Sequence, residues 1–591
     1  MTLSTLDWGF IIAFFALSLS IGLYVARRSG KNASEFFLSG RSMPWWLLGV
    51  SMVATTFSAD TPNLVTDLVR KDGIAGNWLW WAFLLTGMLT VFVYAKLWRR
   101  SGVLTDLEFY ELRYSGKEAA FLRIFRAIYL GVIFNVMVMA TVCLAAIKIG
   151  GTLLGISPIQ TLLLASVVTV VYSAIGGLRG IILTDFFQFI LAMIGTVWAA
   201  IVIVNLPEVG GLEQLLTHEN VVPKLDLIPD PSDTSALLSL LVIPLAVQWW
   251  AAYYPGSEPG GGGYVAQRML AAKDEKNAIG ATLFFNVAHY ALRPWPWILI
   301  ALCSLVVFPD LDSLQAAFPA IDRSVIDDDL AYPAMLTYLP HGLLGLVIAS
   351  LIAAFMSTIS THLNWGASYI VNDCYKRFIN PNASEKTLVQ IGRLSTVVLM
   401  IMAAIVALYL KSAKDAFSII VLMGAGTGLI FILRWFWWSI NAYSEIAAMV
   451  ASFLVALFYK FGIPGVLSSH AELLLTVGIT TIFWVVVTYL TPATQEKTLI
   501  SFYKLIKPHP LGWRKVIDKG MAEGQLQAAE VKPGKLPTEL LCMFAGIFLV
   551  YGILFTTGFM LMGNWGYMAL GLGVTLVSMG VLWWNWERVV N

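Results

Sequence analysis

Repeated apolar runs constrain this chain more than any other feature of its sequence. Hydrophobic residues make up 58% of its 591 residues and charged residues only 13%, with a mean hydropathy of +0.75. An ordinary soluble domain carries about 25% charged residues, whereas an apolar run of about 20 residues is long enough to cross a bilayer as an α-helix. The sequence therefore predicts an all-α polytopic membrane protein.

We predict about 15 transmembrane helices. The predicted spans are 8–27, 43–66, 77–98, 122–148, 155–174, 180–205, 236–255, 279–308, 338–371, 388–410, 416–438, 444–462, 471–491, 538–560 and 565–586. The longest polar stretch, 493–537, is predicted to be a cytoplasmic linker that precedes two extra helices in 538–591.

Lys and Arg in the connecting loops predict the orientation, because cytoplasmic loops of membrane proteins are enriched in both. If the spans alternate, most basic loops fall on one side of the membrane and the acidic loops in 208–233 and 310–329 on the other. Arg70 and Lys71 are the exception. We predict a plasma (inner) membrane protein whose N-terminus is outside and whose C-terminus is cytoplasmic.

Other function classes lack support in the sequence. A membrane-embedded enzyme needs clustered His or carboxylates, but the six His residues are dispersed, and we predict no enzyme. No Gly-x-x-x-x-Gly-Lys-Ser/Thr motif is present, which disfavours direct ATP coupling. The charges lie in loops, so we expect no nucleic-acid partner. Residues 1–10 lead straight into the first span without a basic region, and we expect no cleaved signal peptide. The four Cys residues lack metal or redox spacing (Cys143, Cys303, Cys374 and Cys542).

Two predicted spans are interrupted at membrane depth. Span 43–66 contains the polar run 58–63 with Pro62, and span 236–255 contains Pro244 and leads into the Pro- and Gly-rich segment 255–263. Proline removes a helix hydrogen bond, and unwound backbone within a membrane persists only where it is buried in protein or lines a cavity. Five spans separate the interruptions, as in an inverted repeat that binds its solute at the breaks. Two ordinary proline kinks are the alternative.

A ladder of hydroxyls lies within span 338–371. Ala354, Ser357, Thr358 and Thr361 have the i, i+3, i+4 and i+7 spacing that places them on one face of a helix. Hydroxyl and carbonyl oxygens are the ligands that small hard cations prefer, so this face predicts a Na⁺ site. The alternative is that these hydroxyls bond their own helix backbone or hold two helices together.

Four motifs give the chain its resemblance to the sodium:solute symporter family, over about residues 8–490. They are Gly176–Gly180 followed by Thr184-Asp185, Gln267–Lys273, the hydroxyl ladder continuing to Leu363-Asn364, and Thr105–Phe109 with Arg113-Tyr114. The resemblance implies a leucine-transporter-like core of five plus five inverted helices and Na⁺-driven uptake by alternating access. It implies an N-terminal extra helix in 1–42, repeats in 43–206 and 235–440, and further helices in 441–492.

The resemblance also implies the sodium ligands. The main Na⁺ site would use backbone carbonyls of Ala54, Phe57 and Ala354 and the hydroxyls of Ser357 and Thr358. A second Na⁺ site, found in some members, would use Asp185, Ser360 and Thr361 together with Ser357. Asp185 has an alternative as a residue that caps the cytoplasmic end of its span or pairs with Arg179.

The predicted solute ligands flank the two interruptions. They are Asp60, Thr61, Asn63, Trp81 with its neighbour Trp80, Gln248 with Trp249 and Trp250, His289 and Arg293. An intramembrane Arg must face a partner or a cavity, and its guanidinium suits a carboxylate. Arg293 therefore favours an acidic or zwitterionic solute, and a structural pair with Asp60 or Asp67 is the alternative.

We therefore predict a Na⁺-coupled secondary symporter that imports a small organic solute by alternating access. A neutral hexose-like sugar is the alternative solute, although Thr61 and Gly424 stand where sugar-transporting relatives place Gln. A sensor that binds solute without moving it is the alternative from another class. The expected partners are the solute, Na⁺ and the lipid bilayer.

Overall fold

The computed structural model describes residues 3–29, 32–254, 256–319, 321–323, 326–410, 417, 420, 421, 424–463, 465–531 and 534–590. These residues form helices joined by short loops, and the described chain has no β-strand beyond two isolated bridges, Met43–Ala272 and Ala252–Ala425. The prediction of an all-α membrane protein is confirmed.

Eleven helices of the described residues are long and apolar enough to cross a membrane, and shorter helices complete the bundle. In chain order, the helices used below are α1 (Thr5–Tyr24), α2 (Trp45–Thr56), α3 (Asp60–Asp72), α4 (Ile74–Ser101), α5 (Gly116–Leu154), α6 (Pro158–Ala174), α7 (Gly176–Val204), α8 (Thr234–Ala251), α9 (Gly263–Ala271), α10 (Glu275–Val307), α11 (Leu343–Ile379), α12 (Glu385–Ala407), α13 (Gly428–Leu433), α14 (Ala442–Leu457), α15 (His470–Leu490), α16 (Glu496–Ile506), α17 (Arg514–Ala522), α18 (Leu536–Leu561) and α19 (Trp565–Val590).

The other four predicted spans correspond to shorter or interrupted helices. Span 43–66 is divided between α2 and α3, span 155–174 is α6, and span 444–462 begins with α14. Span 416–438 contains α13, but part of it lies outside the described residues. The count of about 15 is therefore an approximation to a bundle in which several spans are broken.

The first interruption lies where α2 ends. Phe57 leaves the helical conformation with φ −84° and ψ 72°, and the chain re-enters a helix at Asp60. Pro62 lies in the first turn of α3, where its missing N–H removes no helix hydrogen bond. Because the last carbonyls of a helix have no intrahelical donor, the end of α2 presents backbone oxygens inside the bundle.

The second interruption is longer and separates α8 from α9. Glycine residues with positive φ let the chain turn sharply where an L-residue would be strained; Gly256 has φ +84° and Gly260 has φ +76°. Close approach to another segment also requires glycine, because a Cβ on Gly424 would sit 2.1 Å from the Tyr253 carbonyl oxygen. The unwound segment therefore packs directly against backbone that precedes α13.

The first interrupted helix lies in the middle of the bundle, whereas most of α8 lies on its outside. α2 packs against α7, α10 and α11, and α11 also runs along α7. The C-terminal helix α18 packs against α4 and α10, and the Trp295 indole of α10 donates a 2.9 Å hydrogen bond to the Leu554 carbonyl. The two breaks approach each other, since a Cβ on Gly256 would lie 3.1 Å from Thr56 Cγ2 at the end of α2.

The segment predicted as a linker, 493–537, is folded instead. It contains α16 and α17, and the buried Trp513 donates a 2.9 Å hydrogen bond to the Trp435 carbonyl and stacks on Phe502. Arg100 also donates a hydrogen bond of 2.6 Å to the Ile506 carbonyl. The prediction of a linker was wrong because it weighed the polar composition over the few apolar side chains that anchor the segment.

Candidate ion and solute site

An open cavity of about 1060 Å³ lies beside both interruptions. Its walls combine polar groups of the first break with aromatic side chains of α4, α10 and the second break. Five predicted residues line it, namely Asp60, Thr61, Asn63, His289 and Arg293, together with Thr358 of the hydroxyl ladder. The cavity therefore brings together most of the residues that the sequence predicted on separate spans.

Two carboxylates and one guanidinium line the cavity, those of Asp60, Asp329 and Arg293, and Asp329 pairs with Lys148 at 2.6 Å. Asp60 Oδ1 is buried without a hydrogen-bond partner among the described residues. Arg293 is 1% exposed, donates 3.1 Å to the His289 carbonyl and 3.4 Å to the Val53 carbonyl, and hydrogen-bonds the His289 ring. Its recorded hydrogen bonds therefore go to neutral groups, and the alternative partner Asp67 pairs with Lys71 at 2.6 Å.

Three predicted solute ligands lie elsewhere. Trp81 packs against Trp78, whereas its neighbour Trp80 lines the cavity and stacks on Tyr290. One residue rotates a helical side chain by about 100°, which is enough to move an indole from cavity to core.

The other two, Gln248 and Trp250, belong to the end of α8. The Gln248 amide donates 2.7 Å to the Leu79 carbonyl, and the Trp250 indole donates 2.7 Å to the Ala246 carbonyl. Both side chains brace α8 or its neighbour and neither lines the cavity. The prediction rested on the position of both residues at the end of their span. In the structure their side chains point away from the cavity.

Oxygen atoms converge where α11 passes the end of α2. Thr358 Oγ1 lies 2.6 Å from the Thr55 carbonyl oxygen and 3.1 Å from the Ala354 carbonyl oxygen. Ala54 and Phe57 flank this point, and the Ala54 carbonyl accepts from the Phe57 amide at 3.1 Å. Of the predicted main-site residues, Thr358 thus reaches the last turn of α2, through Thr55, while its bond to Ala354 lies within α11. Neutral oxygens of this kind suit Na⁺.

Asp185 of α7 lies beside this group. Its Oδ1 accepts 2.6 Å from Ser357 Oγ and its Oδ2 accepts 2.6 Å from Ser51 Oγ, and the carboxylate is fully buried. The carboxylate therefore faces α2 and α11, which differs from the alternative of a cap at the end of its span.

The remaining hydroxyls of the predicted second site have other partners. Ser360 Oγ accepts from the Tyr172 hydroxyl at 3.2 Å and Thr361 Oγ1 accepts from Arg268 Nη2 at 2.7 Å. Arg268 is fully buried and also donates to Ser51 Oγ at 3.3 Å. A fixed cation therefore shares the surroundings of Asp185, where a second Na⁺ was predicted.

Arg268 belongs to the motif Gln267–Lys273, but the sequence predicted no function for it. A signal was present, because an Arg at membrane depth is expected to face a partner or a cavity. Cavity residues that were not predicted include aromatic and hydroxyl side chains of α4, α5, α9, α10, α11 and the second break. They are Phe83, Thr141, Tyr254, Ser257, Tyr264, Tyr290 and His362.

A bundle with two facing helix breaks, a solute-sized cavity and an adjoining cluster of oxygen ligands defines a secondary transporter of the broken-helix type. Residues 36–452 match the model of the sodium:solute symporter family, so the chain belongs to that family. It is a Na⁺-coupled solute symporter and a multi-pass membrane protein, and Na⁺ is its coupling ion. The alternatives of an enzyme and of a sensor find no support.

Similar proteins transport different solutes. The chain is 28% identical to the sodium/glucose cotransporter of Vibrio parahaemolyticus, over 78% of this chain and 86% of the relative. It is 26% identical to the sodium/sialic acid symporter SiaT of Proteus mirabilis (strain HI4320), over 77% of this chain and 90% of the relative. A solved structure of a Na⁺-coupled sialic acid symporter shares the fold, with a TM-score of 0.67 and 21% identity over 83% of this chain and 99% of that one.

Proposed function

We propose that this symporter imports a small solute bearing a carboxylate, either acidic or zwitterionic, together with Na⁺. The observation that carries the proposal is that Arg293 and Asp60 line one cavity while Asp60 Oδ1 has no hydrogen-bond partner in the described chain. A solute carboxylate would meet the guanidinium, and a solute ammonium or hydroxyl would meet the Asp60 carboxylate.

Arg293 has donors left for a solute. A guanidinium carries five N–H groups, and the recorded hydrogen bonds go to the His289 carbonyl, the His289 ring and, at 3.4 Å, the Val53 carbonyl. A carboxylate carries the opposite charge and can accept two parallel hydrogen bonds from a guanidinium, neither of which a single neutral hydroxyl offers. The buried guanidinium therefore favours a carboxylate over a neutral sugar.

Coupling to Na⁺ follows from a shared element in this proposal. Val53, whose carbonyl contacts Arg293, and Thr55, whose carbonyl contacts Thr358, lie in the last turn of α2. Na⁺ bound between Thr358 and this turn would fix the end of α2 and with it the acceptor beside Arg293. Such a linkage acts in both directions, so solute would raise the affinity for Na⁺ by the same factor.

The transport cycle rests on the proposed repeats. We take 43–206 and 235–440 as two inverted five-helix units, each beginning with its interrupted helix, followed by helices in 441–492. Outward-open protein binds Na⁺ and solute, the units rock against each other, and both ligands leave on the cytoplasmic side. Inward movement of one charge contributes about 2.3 kcal/mol per 100 mV of membrane potential.

A neutral sugar is the second proposal, and aromatic walls favour it. Trp80 and Phe83 line the cavity, and Phe83 stacks on Tyr254 with ring centroids 5.0 Å apart. Such faces are suited to the apolar side of a hexose ring. In this case the Asp60 carboxylate would accept hydrogen bonds from sugar hydroxyls, and Arg293 would stabilise the end of α2 through its hydrogen bond to the Val53 carbonyl.

The test is a thermal-shift screen of the purified full-length protein with and without Na⁺. The probes are sialic acid, gluconate, proline, glucose and myo-inositol. A carboxylate that raises the melting temperature in Na⁺ but not in K⁺ supports the first proposal, and stabilisation by glucose or myo-inositol supports the second. Stabilisation that is indifferent to Na⁺ contradicts coupled binding.

Two variants assign the contact to Arg293. Arg293→Gln is expected to lower the binding affinity for a carboxylate probe by about 10- to 100-fold, equal to about 1.4–2.7 kcal/mol. Trp250→Phe, which changes a residue outside the cavity, is the matched control and is expected to bind as the wild type. Equal binding of the carboxylate by Arg293→Gln and the wild type contradicts the assignment.

A further inference from the structure

A buried glutamate lies in the unwound segment between α8 and α9, apart from the sodium and solute ligands. Glu258 is 2% exposed, and no side chain among the described residues hydrogen-bonds its carboxyl, whose nearest donors are the backbone amides of Gly256 and Glu258. The carboxyl lies against the first residue of α9, where a Cβ on Gly263 would sit 2.5 Å from Glu258 Oε1. Glycine at this position therefore makes room for the carboxyl.

The groups that face Glu258 do not supply a positive charge. Asp106 is the nearest acidic neighbour, and it is satisfied by the Gly263 amide at 3.0 Å and by the Tyr369 hydroxyl. The tyrosines beside Glu258 are Tyr253 and Tyr264. From α4 and α10 the surrounding groups carry no ionisable side chain, and they are Gly87, Thr90, Thr282, Phe285 and Asn286.

The basic groups of this region are engaged elsewhere. Arg126, which faces the Tyr253 ring from 5.8 Å, lies 3.7 Å from the Glu445 carboxylate. Arg268 bonds Ser51 and Thr361. An ionised carboxylate without a partner in a protein interior costs several kcal/mol, whereas the neutral acid avoids most of that cost. Glu258 is therefore expected to be neutral in this conformation.

A small cavity gives the carboxyl access to water. It has about 200 Å³ of empty volume and touches Glu258 and Asn286, whose Oδ1 also lacks a partner in the described chain. Gly256 and Ser257 line both this cavity and the main one. A buried water needs hydrogen-bonding groups, and Glu258, Ser257 and Asn286 supply them here. The backbone at Gly256 and Ser257 separates this small cavity from the solute cavity.

We propose that Glu258 is a proton-binding site that exchanges its proton with the main cavity when the segment between α8 and α9 rearranges during transport. A water of the cavity delivers the proton to a carboxylate oxygen and receives it back, and no other bond or electron pair changes. Protonation stabilises the present conformation, in which the carboxyl is buried, and deprotonation favours conformations that expose it to water.

Infrared spectroscopy of the full-length protein tests the protonation directly. Glutamate labelled with carbon-13 at the side-chain carboxyl distinguishes glutamate from aspartate. At neutral pH the wild type is expected to show an isotope-shifted band of a protonated carboxyl, and Glu258→Gln is expected to lack it. Glu539→Gln, which removes another buried glutamate that is paired with Lys96, is the control and should retain the band.

Two results overturn the proposal. One is the absence of a protonated-glutamate band in the wild type at neutral pH, and the other is its persistence in Glu258→Gln. If that variant does not fold, the labelled wild type still decides, because Glu445 lies beside two arginines and Glu539 pairs with Lys96.

Proton exchange at Glu258 is tested by measuring the apparent Na⁺ affinity at several pH values. This second experiment rests on the proposed function. Because protonation favours the conformation in which Thr358 meets α2, raising the pH is expected to weaken the apparent Na⁺ affinity, by up to about tenfold per pH unit for one linked proton. Glu258→Gln mimics the protonated acid and should lose this weakening of Na⁺ affinity at higher pH, whereas any contribution of Asp185 is the same in both proteins. The same pH dependence in both proteins overturns the exchange, whereas no response to Na⁺ at any pH overturns the proposed function and leaves the infrared result standing.

Discussion

The hydroxyl of Thr358 and the carboxylate of Asp185 approach the end of α2 from two different helices. Thr358 Oγ1 lies 2.6 Å from the Thr55 carbonyl oxygen. The Asp185 carboxylate accepts hydrogen bonds of 2.6 Å from Ser51 Oγ and from Ser357 Oγ. The first group consists of neutral oxygens, and the second has a charge that Arg268 partly offsets. At the residue scale, this difference predicts unequal roles for the two places in binding Na⁺.

Thr358→Ala removes one oxygen from the main site. Loss of a ligand worth about 1.4–2.7 kcal/mol raises the Na⁺ concentration for half-maximal stabilisation by about 10- to 100-fold. Thr358→Ser keeps the oxygen and is the control, with an affinity near that of the wild type. The measurement is the melting temperature as a function of Na⁺ concentration, and an unchanged Na⁺ dependence in Thr358→Ala contradicts the assignment.

Asp185→Asn tests the predicted second site. Bound radioactive Na⁺ per protein at saturation is expected to fall from about two ions to about one, because a neutral amide offers a cation far less than a carboxylate does. Asp185→Glu, which keeps the charge, is the matched variant. A wild type that binds one ion only, or an unchanged count in Asp185→Asn, contradicts a second Na⁺ site at Asp185.

At the scale of elements, the interrupted helices could be predicted and their side-chain directions could not. Proline and polar residues inside apolar spans mark both breaks, and the hydroxyl face of α11 follows from helical spacing. Trp80 rather than Trp81 lines the cavity because the orientation of a helix depends on its neighbours. The same holds for Arg268, whose partners Ser51 and Thr361 come from α2 and α11.

The close contact between the second break and the chain before α13 gives a prediction for Gly424. Gly424→Ala would place a Cβ 2.1 Å from the Tyr253 carbonyl oxygen, so the segment must move. Overpacking of this kind destabilises a protein by about 1–3 kcal/mol, seen as a lower melting temperature. Gly478→Ala, at a position of α15 with nothing within 4 Å, is the control. Equal melting temperatures for both variants contradict the contact.

At the scale of the whole molecule, the hydropathy pattern determined the class of fold because lipid demands long apolar helices. Composition failed for 493–537, where a few buried aromatic side chains such as Trp513 outweigh a polar average. The orientation stays a prediction from the distribution of Lys and Arg. It predicts which of the two faces of the molecule is accessible on intact cells.

Single cysteines at exposed positions test that orientation. Glu213→Cys is expected to react with a membrane-impermeant maleimide on intact cells, and Lys504→Cys only after lysis, because the two positions fall on opposite sides. The wild type is the control, since Cys143, Cys303 and Cys542 are buried and Cys374 is partly so. Labelling of Lys504→Cys on intact cells contradicts the proposed orientation.

The most direct test of Na⁺-coupled uptake measures both fluxes in proteoliposomes that contain the purified protein. With a solute identified by the thermal-shift screen, an inward Na⁺ gradient is expected to concentrate the solute, and the solute is expected to accelerate entry of radioactive Na⁺. Replacing Na⁺ with K⁺ should abolish both effects. Solute entry that proceeds without Na⁺ entry, at the same rate in K⁺, would contradict coupling through the break in α2 and α3.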